Sequence, residues 1–173
     1  MHVVRTLRPN INVDSEPSYV KFIFMDNYVI NVYPSKPENY NGSALIREYP
    51  AFSKAVKTCA ALRQKYLPYF IDGIMVSDCP VDMERDVPCR ITGYQKGDSL
   101  LLIVYKYRDE EACLPLDLAP YLGGQYYSYR ICNEENQMIA GGSVEANGII
   151  SVFGEKDALY MVELFRERDN ERV

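Results

Sequence analysis

Between Leu100 and Tyr107 the chain reads LLLIVYKY. A half-exposed strand alternates apolar with polar residues; a continuous apolar run must instead be covered on both faces of its pleat. The run LLLIVY at 100–105 is also far too short to cross a bilayer, which takes about 20 apolar residues. It therefore demands an interior strand, and the rest of the chain must supply its sheet neighbours and its covering layers.

The neighbours can be read from Arg90 onwards. Ile91 to Tyr94 forms a short strand, and Tyr127, Tyr129 and Ile131 alternate with Ser128, Arg130 and Cys132. Glu134 to Gln137 makes a turn, after which Met138 to Val144 returns through Gly141 and Gly142. Asn147-Gly148 is the strongest two-residue hairpin signal in the chain, set between SVEA and IISVF. Leu159 to Phe165 is the last strand before a charged tail. Short strands with turn signals at close intervals predict a β-sandwich or barrel.

The first half reads differently. Residues 1–18 show no period and are expected to form an extended arm. In YVKFIFMDNYVINVYP, residues 19–34, Val20, Phe22 and Phe24 alternate with Tyr19, Lys21 and Ile23, and Asp26-Asn27 separates two β-rich runs, so a hairpin is expected. Residues 35–43 are a loop by composition, and a short turn is expected at 43–48. A helix follows over 50–66. Pro50 suits a first turn, Phe52, Val56, Cys59 and Ala60 make an apolar stripe, Arg63 and Lys65 fall in the last turn, and Pro68 lies just beyond. Ile74 to Val76 adds a strand. The expected organisation is an arm at 1–18, a hairpin-helix region at 19–87, a β-sandwich at 88–168 and a charged tail at 169–173: mainly β with one helix, an α+β chain.

Charge and motif narrow the chemistry. A net charge of −5, with Lys and Arg scattered among acids, disfavours nucleic-acid binding, which needs a clustered basic surface. Cys59, Cys79, Cys89, Cys113 and Cys132 are odd in number and form no CxxC pair, so buried thiols are expected rather than a disulfide framework or a zinc site. The N-terminus shows neither the apolar run nor the cleavage site of a signal peptide, so a cytoplasmic origin is expected. No phosphate-binding loop is present, and the glycine pairs at 123–124 and 141–142 read as turn or bulge residues. Asp78, Asp82, Glu84 and Asp86 crowd one loop, but Pro80 interrupts it and no central glycine allows a calcium wrap. The sole histidine, His2, lies in the arm, a poor place to hold a catalytic base. Asp109-Glu110-Glu111 reads as a hairpin tip, and Gly97-Asp98 as a turn-closing device in which Asp bonds its own backbone. Fifteen tyrosines suit half-exposed sheet faces and interfaces.

The pieces QKGDSLLLIVYKY, RDEEACLPLDL, YYSYRIC, NQMIAGGSV and ANGIISV, in that order, resemble a pattern from tailed-phage structural proteins. Over roughly 88–168 the chain resembles the N-terminal immunoglobulin-like domain of baseplate-upper and fibre-anchoring proteins. The resemblance implies a small sandwich that docks one virion component onto another in the tail, baseplate, neck or fibre region. It implies assembly in the host cytoplasm, homo-oligomeric contacts and other virion proteins as partners, with no nucleic acid or membrane. The expectation is a non-enzymatic protein with no catalytic residue, cofactor or metal, and with Val3, Val4, Leu7 and Tyr126 at interfaces. Two rival readings stand beside it. One is a cytoplasmic binding or immunity module capping a partner protein; the other is a carbohydrate-active β-sandwich, which would need a paired-carboxylate cleft.

Overall fold

The computed structural model describes residues 11–12, 17–25, 32–33, 49–77, 89–106, 113–123, 125, 127–144 and 148–166. The chain divides into two units, residues 1–65 and 66–173.

In the first unit, strand β1 (Ile11–Asn12) pairs in parallel with β2 (Val32–Tyr33), and helix α1 (Pro17–Met25) packs on α2 (Pro50–Lys65). The hairpin expected over 19–34 is thus corrected: its first half is helical. Pro17 opens α1, where its missing N–H costs nothing, and Val20, Ile23 and Phe24 are buried at helical spacing. Val20 and Phe24 satisfy period two and period 3.6 alike, so alternation over so short an apolar segment could not discriminate. The arm expected at 1–18 is likewise corrected where it is described, since Ile11 and Asn12 are in a strand and Pro17 and Ser18 in a helix. The second helix keeps its expected span, but its stripe is corrected: three-to-four spacing from Phe52 and Cys59 admits either neighbour, and Ala55 and Leu62 are buried where Val56 is half-buried and Ala60 exposed. Phe52, Ala55, Cys59 and Leu62 form its buried stripe, and Arg63 and Lys65 stand in its last turn.

The second unit is mainly β. Helix α3 (Leu67–Asp72) precedes β3 (Ile74–Ser77), so Pro68 lies in the first turn of a new short helix rather than in a terminating loop. An antiparallel sheet follows in the order β3, β4 (Cys89–Lys96), β5 (Ser99–Lys106), β10 (Ala158–Arg166), β7 (Tyr127–Cys132), β8 (Met138–Val144). This sheet begins at Ile74, ahead of the boundary expected at 88. A separate two-stranded ribbon pairs β6 (Cys113–Asp117) with β9 (Ile149–Phe153), and helix α4 (Ala119–Leu122) follows β6.

Two expectations fail in the ribbon. The CLPLD stretch, in which no strand is expected from the sequence, supplies β6. SVEA and IISVF do not form a hairpin: β8 pairs with β7, whereas β9 pairs with β6. A turn signal reports only that the chain bends there. Val144, Ile150 and Val152 are buried in the same core, so the apolar face is satisfied when the two strands enter different sheets.

Leu100, Leu102 and Val104 of β5 face that core with Ile91, Tyr160, Val162, Leu164 and the ribbon's Leu116, Ile150 and Val152. Leu101, Ile103 and Tyr105, on the other side of the pleat, are buried too. The apolar run at 100–105 is therefore covered on both faces, as its composition requires. At the rim of the core the fully buried Lys106 directs its ammonium at the carbonyl of Gly154. Tyr160 packs so closely there that a Cβ on Gly154 would lie 2.4 Å from its ring, so only glycine fits. Cys59, Cys89 and Cys132 are buried thiols.

Candidate functional site

The antiparallel pair β4–β5 turns tightly through Gly97, whose φ of 55° is left-handed and so favours glycine. That turn brings Asp98 and Ser99 to one end of the core, where Val76 of β3, Tyr121 of α4 and Tyr127 of β7 also converge. Together with Gln95 and Leu100 they line an open cleft of about 280 Å³. Leu100 and Tyr127 are buried and form its floor, and Val76 and Tyr121 are half-buried against the same core. The polar groups sit at the rim. Gln95 and Asp98 are exposed, and Gln95 Nε2 reaches the carbonyl of Gly97 at 3.5 Å, a long and weak bond.

Asp98 is held from behind. Its carbonyl accepts the amide of Arg166 at 3.1 Å, and its carboxylate lies 3.6 Å from Arg166 Nη1. The turn is thus tied to the end of β10, and the self-bonding device expected for Asp98 is replaced by a partner far along the chain. Both side chains of the ion pair are well exposed, so its worth lies in orientation rather than stability. The arrangement offers an aromatic and apolar floor with an amide, a carboxylate and a hydroxyl around it, the usual make-up of a small-ligand cleft.

A second polar group lies on the opposite face of the sheet. Glu163, in the middle of β10, accepts a 2.6 Å bond from Arg130 Nε and a 3.4 Å bond from the Tyr66 hydroxyl. Arg130 is its cross-strand neighbour and stacks over the Phe165 ring at 5.1 Å. Burial first, and the Glu163 charge second, push the Tyr66 phenol far above its ordinary value; the same two causes raise Tyr69. The hydrogen bond to Glu163 raises Arg130. With its carboxylate only 5% exposed and closed off by two donors, Glu163 holds the sheet and offers no open acid to a ligand.

The expected interface residues Val3, Val4, Leu7 and Tyr126 lie outside the described residues, as do His2, the acidic loop with Asp78, Asp82, Glu84 and Asp86, and the tip at Asp109 to Glu111. Among the described residues no cluster of three or more His, Cys, Asp or Glu could hold a metal ion. Of the turns and motifs weighed for chemistry, Gly97-Asp98 enters the cleft, joined by Val76, Leu100 and Tyr127, which the sequence marks only as strand residues. Tyr121 gave no signal and Val76 only a strand signal, because nothing local announces that α4 and β3 meet at that turn.

No family model matches the chain, and no curated protein matches its sequence. Solved structures do match its fold. An α-amylase from Geobacillus thermoleovorans, complexed with acarbose, is similar at TM-score 0.58 and 15% identity over 88% of this chain and 34% of the amylase. A glycoside hydrolase is similar at TM-score 0.53 and 12% identity over 95% of this chain and 39% of its own. A glycoside hydrolase family 5 protein from Bacteroides vulgatus is similar at TM-score 0.51 and 12% identity over 90% and 38%. The chain thus spans between a third and two fifths of the length of these proteins. At such identities the likeness concerns the fold alone. It corrects the expectation of a non-enzymatic protein: the architecture is one that glycoside hydrolases carry, and a fold of that kind gives no ground for excluding enzyme chemistry.

Proposed function

We propose that the chain is a β module of carbohydrate-active type that engages a glycan in the cleft between Tyr121 and Asp98. The cleft itself carries this reading. Sugar rings present C–H faces that pack on aromatic side chains, and a rim of hydroxyls that bond to carboxylates and amides; Tyr121 and Tyr127 supply the first surface, Gln95, Asp98 and Ser99 the second. The glycoside hydrolases that share the fold support the ligand class. Isothermal titration of the full chain with a panel of oligosaccharides tests it. Binding that weakens at least tenfold in Tyr121→Ala is expected; a chain that binds no member of the panel would sink the reading.

A second reading follows from a different observation. β8 is the outer strand of the large sheet, Met138 and Ile139 are exposed on it, and MIAGGSV carries no charge. Natural edges are usually blunted by charge or proline, and one left bare suits pairing with another chain. This supports assembly of an immunoglobulin-like sandwich into a tailed-phage virion through repeated contacts. Stoichiometric recovery of the chain from purified particles would be expected, and its absence from particles would remove this reading.

A further inference from the structure

Resting on the glycan reading of the cleft, we infer that it selects neutral glycans and turns away acidic ones. Among the described residues the lining offers one carboxylate, from Asp98, one amide, from Gln95, and the hydroxyls of Ser99, Tyr121 and Tyr127, and no lysine or arginine. Arg166 and Lys96, beside the turn, each face a carboxylate, that of Arg166 being the cleft's own Asp98. Arg166 is drawn to Asp98 at 3.6 Å, and Lys96, which precedes the turn, faces Asp72 at 3.5 Å. The Asp98 side chain is 64% exposed and that of Arg166 43%, so the carboxylate is the more accessible member of the pair.

A uronic acid or a sulfated sugar needs a cation or a cluster of N–H donors to replace the water it gives up. In this cleft its anion would instead approach a like charge, on a chain whose net charge is −5. A neutral sugar meets the opposite situation. Its hydroxyls can donate to the Asp98 carboxylate, an acceptor-only group when ionised, and exchange bonds with Gln95 and Ser99. Asp98 thus serves both as an acceptor for neutral hydroxyls and as a repulsive element against anions, which is how discrimination by charge is commonly achieved.

The test pairs probes of equal length: maltohexaose and xylohexaose as neutral chains, hexagalacturonate as the acidic one. They are titrated against the full chain, Asp98→Asn, Tyr121→Ala and Gln95→Ala at 20 mM and 150 mM salt. The wild-type chain should bind at least one neutral hexamer about tenfold or more tighter than the uronate at low salt, with the gap narrowing as salt screens the repulsion. Asp98→Asn should close most of that gap, both by removing the like charge and by releasing Arg166. Wild-type binding of the uronate as tight as the neutral chains, or a gap untouched by Asp98→Asn, overturns the selectivity while leaving the cleft as a glycan site. Failure of all three probes, or binding indifferent to both Tyr121→Ala and Gln95→Ala, overturns the site and the selectivity together. Gln95 is exposed, so its variant keeps the test meaningful if Tyr121→Ala loosens the core.

Discussion

The two faces of the large sheet solve the same burial problem with different materials. The face towards the ribbon is lined by Leu100, Leu102, Val104, Val162 and Leu164, with Lys106 only at its rim. The other face buries Leu101, Ile103 and Met161 but also Thr92 and Glu163. An apolar face needs only volume and shape, whereas a polar one needs every donor and acceptor matched. Glu163 meets that demand through Arg130 and Tyr66; Thr92 Oγ1, buried with no hydrogen-bond partner, does not. The ribbon side therefore supplies stability, and the other side fixes geometry at some cost.

The contrast can be broken most forcefully at Leu102, which is fully buried between the β4 and β10 strands. Leu102→Ala should cost about 3–4 kcal/mol in urea unfolding, from lost transfer energy and the cavity left behind. On the other face, Arg130→Leu should cost about 2–3 kcal/mol, because it strands a buried carboxylate, less than a fully enclosed pair would lose since water can reach the arginine side. A loss below about 0.5 kcal/mol there would show that Glu163 is not a structural anchor.

Thr92→Val sharpens the contrast in the opposite direction. Replacing an unpartnered buried hydroxyl with an isosteric methyl should stabilise the chain by up to about 1 kcal/mol, read as a raised urea midpoint. The smallest change concerns pH. The Tyr66, Tyr69 and Tyr160 phenols are all raised, chiefly by burial, so the folded chain keeps protons that the unfolded chain releases near pH 10. Their contribution is complete below about pH 10 and is lost as pH climbs beyond it, because the unfolded state then binds fewer protons than the native one. Tyr66→Phe should shift stability at pH 7 by under about 1 kcal/mol, since its bond to Glu163 is long, yet flatten the decline measured between pH 9 and 11.

What the sequence disclosed follows the reach of each signal. The run at 100–105 demanded cover on both faces irrespective of partner identity, and the span and terminal cations of α2 were local and correct, whereas half of its stripe was misplaced by one or two residues. The α1 segment was misread because Val20 and Phe24 suit either period. The ribbon escaped because its partners, β6 and β9, are far apart in sequence and their pairing is decided by which sheet still has an apolar face to cover. The cleft was the least legible: Val76, Gln95, Asp98, Tyr121 and Tyr127 come from different parts of the chain, and the strand signals at Val76 and Tyr127 and the turn at Gly97 do not say that they meet.

The enclosed thiols give the molecule a built-in clock. Cys59 belongs to the first unit, Cys89 and Cys132 to the second. A shielded sulfhydryl meets an alkylating reagent only when its surroundings open, so its labelling rate reports local opening rather than intrinsic reactivity. Timed alkylation followed by peptide mapping would assign a separate rate to each cysteine. Rates that rise together with urea would mark one cooperative body, and a Cys59 that labels well before the other two would mark a first unit that opens on its own.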